Sequence, residues 1–194
     1  MKVLLLGVPP FPLEAIVTKD GHSVITCSEP IDVEYLEKNS IDFAVSYRYP
    51  HIIRKPVIDF LQGRVINMHI SLLPWNRGAD PNLWSFLENT PKGVTLHYVD
   101  EGLDTGDIIA QKEIIFDSPE ETLVSSYETL NREMVALFEK QWPLLASSQV
   151  PRQEQPNGGN GHRVKDKERF SHLLAAKGWN TPVRELIGKG LAQD

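Results

Sequence analysis

Residues 1–70 alternate short apolar runs with more polar stretches, and this alternation restricts the fold more than any other feature of the sequence. Four runs rich in aliphatic and β-branched residues are predicted strands: Val3–Leu6, His22–Thr26, Asp42–Tyr47 and Val65–Met68. Helices are predicted between them over Val33–Lys38 and Lys55–Gln62. Continuous apolar strands separated by helices are typical of parallel sheets that are buried on both faces. We therefore predict an α/β fold, a Rossmann-like, mostly parallel sheet with helices on both faces.

The middle of the sequence predicts a helix and then a pair of strands. The helix is expected over Asp80–Asn89, with Asp80 as its N-cap and a proline in its first turn. Two further strands, Thr95–Val99 and Ile108–Phe116, flank an acidic turn. Because the turn between them is short, these two strands are expected to be antiparallel.

The last third begins with a long amphipathic segment. Apolar residues at spacings of three and four predict a helix over Glu120–Trp142, and Pro143 is expected to end it. Its apolar stripe would pack either on the sheet or on a second subunit. Ser147–Gly161 is rich in Ser, Gln, Pro, Asn and Gly, which is typical of a loop or linker. A short helix around residues 168–176 and a packing anchor at Trp179 are expected to follow.

Composition limits the possible partners and cofactors. A chain of 194 residues is expected to form one main domain, residues 1–146, with a linker and a short C-terminal helical extension over residues 147–194. The net charge of −6 makes a nucleic-acid partner an unattractive hypothesis. Cys27 is the only cysteine, and the histidines lack metal-ligand spacing, so no metal is expected. With no signal peptide and no apolar stretch long enough to span a membrane, we expect a cytoplasmic protein.

The candidate chemistry begins where the predicted strand Val65–Met68 ends. Asn67 and His69 are two positions apart, so their side chains leave an extended segment in the same direction. Such a pair also occurs as an ordinary solvent-facing polar pair. However, the apolar loop Ser71–Pro74 that follows keeps His69 on irregular backbone, where functional residues concentrate. Downstream, Asp104 lies in an acidic turn and can be read either as a turn residue or as a third member of the site.

Several motifs, in this order, resemble the formyltransferase superfamily, whose members use 10-formyltetrahydrofolate. They include methionyl-tRNA, glycinamide ribonucleotide and sugar N-formyltransferases. The resemblance is strongest over residues 65–111 and is carried by these motifs: Asn67-x-His69-x-Ser71-Leu72-Leu73-Pro74, Arg77-Gly78-Ala79-x-Pro81, Gly93-Val94-Thr95-x-His97 and Leu103-Asp104-Thr105-Gly106-Asp107-Ile108. A looser match, Gly7-Val8-Pro9-x-Phe11, follows the first strand. The resemblance implies the formyltransferase fold, with an N-terminal half that is shorter than in typical members.

By this resemblance, three residues have catalytic roles. Asn67 corresponds to the family's oxyanion-stabilising asparagine, His69 to its catalytic histidine, and Asp104 to the aspartate that positions the histidine. The chemistry explains this set, because an amine that attacks a formyl carbon must lose a proton while negative charge develops on oxygen. The order of the proton transfers stays open.

The resemblance also implies where 10-formyltetrahydrofolate binds as co-substrate. An aromatic-rich segment follows the predicted strand Asp42–Tyr47 at the position of the family's pterin-binding loop. The implied folate contacts are Tyr47, Arg48, Tyr49, Pro50, His51, Ile52, Leu72 and Asp100. An ordinary loop with two packed tyrosines is the alternative interpretation of this segment.

Residues beyond the catalytic loop are candidates for contacting the acceptor amine: Trp75, Asn76, Arg77 and Asp80. Arg77 would either pair with a phosphate or hold the loop through nearby carbonyls. His162, Arg163 and Lys165 would either reach a nucleotide diphosphate or lie in a solvated linker.

The sequence favours an amino sugar, linked to a nucleotide, as the acceptor. It shows no counterpart of the C-terminal domain with which methionyl-tRNA formyltransferases bind tRNA, and its net charge is acidic. The alternatives are a methionyl-tRNA or glycinamide-ribonucleotide-type formyltransferase, and a binding module for folate or sugar without catalysis. A homodimer is expected, because the family's sugar-modifying members are often dimers.

Overall fold

The computed structural model describes residues 1–7, 12–150 and 152–191. Its strands are β1 (Lys2–Gly7), β2 (Ser23–Cys27), β3 (Phe43–Tyr47), β4 (Val65–His69), β5 (Arg77–Gly78), β6 (Gly93–Tyr98), β7 (Ile108–Glu113) and β8 (Gly161–His162). Six of them form one sheet in the order β2-β1-β3-β4-β6-β7, and β5 pairs with β8 separately. Strands β2, β1, β3 and β4 are parallel, whereas β6 and β7 are antiparallel additions. The predicted mostly parallel sheet is confirmed.

The helices cover both faces of this sheet, as predicted. They are α1 (Pro12–Lys19), α2 (Val33–Asn39), α3 (Lys55–Phe60), α4 (Pro81–Leu87), α5 (Leu123–Ala146) and α6 (Ser171–Leu174). Short 3-10 helices follow at Val164–Phe170, Gly178–Asn180 and Val183–Glu185. Helices α1 and α5 bury Leu13 and Met134 in the core on one face, and α2 and α3 bury Leu36 and Val57 on the other. The sheet is therefore sealed from water on both sides around β1, β3 and β4.

Two predicted helix features need correction. Helix α1 was not predicted, yet it supplies the crossover that two parallel strands, β1 and β2, require. Helix α5 begins after its N-cap Thr122 and passes through Pro143 to end at Ala146, although the proline removes one intrahelical hydrogen bond. The apolar stripe of α5, including Leu130 and Phe138, packs on the sheet. The stripe therefore gives no argument for a second subunit.

The segment after α5 is held against the rest of the molecule. Gln153 forms an isolated antiparallel bridge to Ile108, and the Arg152 guanidinium lies 3.6 Å from the centre of the Tyr98 ring. The predicted packing anchor, Trp179, is 45% exposed, and Leu186 is buried instead in a cluster with α4. The prediction for Trp179 was wrong, because the chain turns there through a short 3-10 helix that leaves the ring at the surface.

The helices in residues 1–7, 12–150 and 152–191 include no candidate for a membrane span. No helix there combines the length and the apolar composition that crossing a bilayer requires. The loosely matching motif at Val8–Phe11 lies outside the described residues.

Candidate active site

The predicted polar pair lies at the end of β4, where the parallel sheet meets its first antiparallel neighbour. Asn67 and His69 leave β4 on the same side, and β6 brings His97 directly opposite Asn67 in the strand register. An open cavity of about 1070 Å³ covers this end of the sheet, and all three side chains line it. This position agrees with the general location of ligand sites in α/β sheets, beyond the carboxyl ends of strands.

Asp104 lies at the centre of this cluster. Its Oδ1 accepts a hydrogen bond of 3.0 Å from the Asn67 amide, and its Oδ2 accepts one of 2.8 Å from the backbone N–H of Gly78. The same Oδ2 is 3.6 Å from Nδ1 of His69, and Oδ1 is 3.4 Å from Nε2 of His97. One carboxylate therefore contacts the end of β4, the β5 backbone and β6 at once.

The ring of His69 is buried and fixed on both sides. Its Nε2 lies 3.0 Å from the backbone carbonyl oxygen of Asn76, which can only accept a hydrogen bond, so this nitrogen carries the proton. In the neutral ring, the lone pair of Nδ1 then faces Asp104. A proton that arrives at Nδ1 would be stabilised by the carboxylate next to it.

Charge and burial shift the pKa values of His69 and Asp104 in opposite directions. Burial lowers the pKa of His69 below its ordinary value and outweighs the negative charge of Asp104, which raises it. Burial alone would raise the pKa of Asp104, but the charge of a protonated His69, the nearby ring of His97 and the hydrogen bond from the Gly78 N–H hold it well below its usual range. Because His69 is neutral at neutral pH, the hydrogen bonds are what keep Asp104 ionised there. A neutral imidazole therefore faces an ionised carboxylate.

His97 belongs to the cluster, although sequence reasoning gave it no role in the site. Its Nδ1 donates to the Tyr98 carbonyl at 2.8 Å, so its Nε2 is free to accept from the Asn67 amide at 3.2 Å. The signal that could have found it is the motif Gly93-Val94-Thr95-x-His97. Only the register between β4 and β6 places this histidine beside Asn67.

The loops around the cavity are held in uncommon backbone conformations. Arg48, Asn76, Asp80 and Asp104 all have positive φ angles between 52° and 56°. Non-glycine residues in this region are strained, and they cluster at functional sites. Gly78 also has a positive φ, and a Cβ there would lie 2.3 Å from the His162 carbonyl oxygen. Only glycine therefore lets β5 pair closely with β8 beside Asp104.

The predicted linker is part of the wall behind the catalytic loops. Gln155 donates through Nε2 to the backbone carbonyls of Asp104 and Gly106, both at 2.8 Å. Asn160 accepts from the backbone N–H of Asn76 and donates to the carboxylate of Glu88. The Asn76 carbonyl accepts the hydrogen bond from His69, so Asn160 holds the backbone that fixes the His69 ring.

The predicted folate-loop residues line the cavity, with one exception. The lining includes Tyr47, Arg48, Tyr49, Pro50, His51, Ile52 and, across the cavity, Asp100. The Tyr47 ring is buried and its hydroxyl contacts Asn131, whereas Ile52 is 85% exposed. Leu72 is not among the lining residues, because its side chain turns toward Gly93 on the far side of the loop.

Only one of the four predicted acceptor residues lines the cavity. Asp80 does so and pairs with Lys167 at 2.8 Å, although its side chain does not cap α4. Trp75, Asn76 and Arg77 are not among the lining residues. Asn76 is buried and donates to Thr90 at 2.8 Å, because it forms the turn of its own loop.

Arg77 and Trp75 lie behind the catalytic loop. The Arg77 guanidinium donates to the Gln155 side chain at 2.8 Å, which corresponds to the loop-holding alternative of its two predicted roles. Trp75 is 36% exposed on the outer side of the loop. Sequence reasoning left the role of Arg163 open and gave Trp179 none in the site, and both line the cavity.

The described ranges of the chain contain no candidate metal site. No three His, Cys, Asp or Glu side chains in residues 1–7, 12–150 and 152–191 are grouped so as to hold a metal ion. The pairs that involve Asp104 are therefore polar contacts within the protein.

Comparison with known proteins assigns the family. The sequence profile of the formyl transferase family, over its N-terminal region, matches residues 17–140. The chain belongs to the formyl transferase family. The matched region begins in α1 and ends within α5, so it includes Asn67, His69 and Asp104.

Formyl transferases of two kinds are similar to this chain. The methionyl-tRNA formyltransferase of Syntrophus aciditrophicus is 41% identical over 128 residues, which cover 66% of this chain and 41% of that protein. That of Desulfotalea psychrophila is 37% identical over 123 residues, covering 61% of this chain and 38% of that protein. The chain thus spans about two fifths of the length of these curated relatives.

A solved formyl transferase matches over the whole length. The formyltransferase PseJ from Anoxybacillus kamchatkensis is 44% identical, with a TM-score of 0.93, and the match covers 98% of this chain and all of that one. That structure is a complex with UDP-4,6-dideoxy-4-formamido-L-AltNAc and tetrahydrofolate. A 4-N formyltransferase from Francisella tularensis shares the fold, with a TM-score of 0.75, 22% identity and coverage of 87% of this chain and 78% of that one.

Proposed function

We propose that this chain is an N-formyltransferase that moves a formyl group from 10-formyltetrahydrofolate to the amine of a nucleotide-linked amino sugar. The observation that carries the proposal is the contact of Asp104 with both the Asn67 amide and the His69 ring at one end of a large cavity. An amide donor, a neutral imidazole and a carboxylate are the groups that acyl transfer to an amine needs.

His69 is the proposed proton acceptor. Its Nδ1 is unprotonated when Nε2 donates to Asn76, and burial keeps the ring neutral near pH 7. A proton taken from the attacking amine at Nδ1 would give an imidazolium 3.6 Å from the Asp104 carboxylate. The ionised Asp104 would stabilise this charge without itself becoming protonated, as the third group of other acyl-transfer sites does.

Asn67 is the proposed donor to the developing oxyanion. Its amide nitrogen bonds to both Asp104 and His97, and a formyl oxygen could replace His97 as the acceptor of one hydrogen. Loss of one such donor typically costs about 3–4 kcal/mol in the barrier. His97 would then act as a placeholder that keeps the amide turned toward the cavity.

We assign the donor molecule to the side of the cavity that residues 46–53 and 99–104 form. 10-Formyltetrahydrofolate supplies the formyl carbon. The chain supplies an enclosing wall of backbone and apolar side chains, which is how small-molecule pockets usually hold a flat heterocycle. Arg48 and Tyr127 both line the cavity, and the Arg48 guanidinium lies 5.6 Å from the centre of the Tyr127 ring.

A sugar nucleotide is the proposed acceptor because the solved relative that matches the whole chain was crystallised with one. Methionyl-tRNA is the second candidate, since the curated relatives carry that activity. A net charge of −6 gives this chain no general attraction for a polyanion as large as tRNA. We extend the proposal to a homodimer acting in the cytoplasm, for which the sequence resemblance and the single cysteine are the only support.

The test is incubation with 10-formyltetrahydrofolate and a panel of acceptors: UDP- and dTDP-linked amino sugars, free amino sugars, glycinamide ribonucleotide and methionyl-tRNA. Mass spectrometry should detect the addition of one formyl group to a nucleotide-linked amino sugar. The His69→Ala variant should form no product, whereas His172→Ala, at an exposed histidine of α6, should retain full activity. Formylation of none of the nucleotide-linked sugars would refute the proposal.

A further inference from the structure

The cavity has an exposed aromatic ring in its wall that the catalytic cluster does not use. Trp179 lines the cavity and is 45% exposed, although the backbone around it is fixed. Thr181 is buried and its carbonyl accepts from the backbone N–H of Leu123 at the start of α5, and Pro182 bridges to Thr122. A flat apolar ring held at the surface of a cavity is a ready platform for stacking a nucleobase.

An arginine in the same wall has no anionic partner. Arg163 lines the cavity and is exposed, and within the described part of the chain its guanidinium makes no ion pair. Its neighbour His162 fixes its position, since the His162 ring stacks on Trp84 at 3.6 Å and its Nε2 lies 3.3 Å from Glu88. An unpaired guanidinium on a fixed backbone suits a phosphate group.

The charge around these two residues is arranged for an anion. Two neighbouring carboxylates already have partners, because Asp166 accepts from the backbone N–H of Arg163 at 2.6 Å and Asp80 is paired with Lys167 at 2.8 Å. The Lys167 ammonium also lies 5.8 Å from the centre of the Trp179 ring, so it places positive charge beside that ring. The exposed Arg163 guanidinium is therefore available to an anionic ligand, while the Asp80 and Asp166 carboxylates beside it are engaged within the protein.

Arg163 and Trp179 are both connected to the backbone beside the catalytic cluster. Gly78, which donates to Asp104, is paired with His162 in the β5–β8 register, and Arg163 is the next residue. Arg163 therefore follows directly on the β5–β8 pair, and Trp179 lies near Lys167, which pairs with Asp80 before the start of α4. An acceptor with its amine at the catalytic cluster would extend its diphosphate and base along this wall.

We propose that Trp179 and Arg163 form the subsite for the nucleoside diphosphate of the acceptor, with the base stacked on Trp179 and the diphosphate paired with Arg163. This inference rests on the proposed function, because it assigns the nucleotide part of that acceptor to a place in the cavity. The glutamate tail of the folate is the competing occupant, since it too carries negative charge.

The test measures the binding of UDP, dTDP and GDP by calorimetry, and of tetrahydrofolate separately, to the full chain and its variants. Trp179→Ala and Arg163→Ala should each weaken the preferred nucleotide about tenfold or more, while tetrahydrofolate binding stays within about twofold. Trp179→Phe should restore most of the stacking loss. The matched controls are Trp75→Ala, at an exposed tryptophan outside the cavity, and Lys165→Ala, two residues beyond Arg163. Both should bind nucleotide like the original chain.

Salt dependence separates the two parts of the subsite. Added salt should weaken nucleotide binding to the original chain and to Trp179→Ala, but much less to Arg163→Ala, because the ion pair is then missing.

Weaker tetrahydrofolate binding with unchanged nucleotide binding in Arg163→Ala would overturn the inference in favour of the folate tail. Failure of all three nucleotides to bind the original chain would also overturn it. Formyl transfer to a nucleotide-linked sugar that is unaffected by both substitutions would overturn the subsite and leave the proposed function intact. Nucleotide binding as expected, without formylation of any acceptor, would support the subsite and remove the proposed function.

Discussion

The Asn67 amide donates to the Asp104 carboxylate across 3.0 Å, although the two residues are 37 positions apart in the sequence. This bond orients the amide toward the cavity and satisfies one oxygen of the Asp104 carboxylate. It connects the end of β4 to the turn between β6 and β7. The proposed chemistry depends on this connection, because the Asp104 carboxylate both holds the oxyanion donor, Asn67, and faces the base, His69.

Asp104→Asn should remove most of the activity while leaving the fold intact. The amide still fits the space and can accept from the Gly78 N–H, but it has no negative charge to stabilise a protonated His69. We expect a fall in kcat of about 10²-fold or more with a small change in KM. Steady-state kinetics with Asp107→Asn, in the same turn, as the control would check this. Unchanged kcat in Asp104→Asn would contradict the assigned role.

Stability should fall as the pH is lowered, in two steps. The folded pKa of His69 lies below its ordinary value of 6.5, so the unfolded chain binds more protons and stability is lost below about pH 6.5. The folded pKa of Asp104 lies below its ordinary 3.8, so its contribution is complete above that pH and lost as the pH falls further. Each group adds at most about 1.4 kcal/mol per pH unit to the slope.

The measurement is the free energy of unfolding in urea between pH 4 and pH 8. His69→Gln should flatten the upper step, because glutamine cannot take up a proton. Equal slopes for His69→Gln and the original chain between pH 5 and pH 6.5 would show that His69 titrates normally in the fold.

Gly78→Ala should damage the site more than other glycine substitutions. Its φ of 88° disfavours alanine, and the added Cβ would meet the His162 carbonyl at 2.3 Å, pushing β5 away from β8 and from Asp104. Gly21→Ala has a similar φ of 78° with no atom within 4 Å, so it controls for backbone strain alone. We expect about 1 kcal/mol lost in Gly21→Ala, and a larger loss with little activity in Gly78→Ala. Equal melting temperatures and equal activity in the two variants would rule out a role for the close β5–β8 contact.

Asn160→Ala should lower kcat through His69 without contacting the substrate. The substitution removes the acceptor of the Asn76 N–H and the donor to Glu88, so the carbonyl that fixes His69 is no longer held. We expect about a tenfold loss in kcat with unchanged tetrahydrofolate affinity. Asn157→Ala, at an exposed position of the same segment, is the control and should behave as the original chain does. A loss in tetrahydrofolate binding instead of kcat would assign Asn160 to the folate wall.

The strands could be predicted because burial on both faces leaves a continuous apolar run, as at Val3–Leu6 and Val65–Met68. Helix α1 could not, because only Leu13, Ile16 and Val17 of its eight residues form its apolar side. The end of α5 was missed for a different reason, since a proline usually marks a helix end, but here the helix continues past Pro143 to Ala146.

The convergence of Asn67, His69 and Asp104 could be predicted from spacing and family resemblance, because Asn67 and His69 lie at the end of β4 and Asp104 lies in the turn after β6, at the same edge of the sheet. The contacts of Asn76 and Arg77 could not, since their partners Asn160 and Gln155 come from a segment with the composition of a linker. Strand register and long-range loop contacts, which decide such cases, leave no local pattern in a sequence.

The most direct test of the central claim is a comparison of kcat/KM for two acceptors with 10-formyltetrahydrofolate held at saturation. The account predicts that a UDP- or dTDP-linked amino sugar is formylated with a kcat/KM at least about 10²-fold above that for methionyl-tRNA. It also predicts that His69→Ala abolishes this transfer. A higher kcat/KM for methionyl-tRNA, or full sugar formylation by His69→Ala, would contradict it.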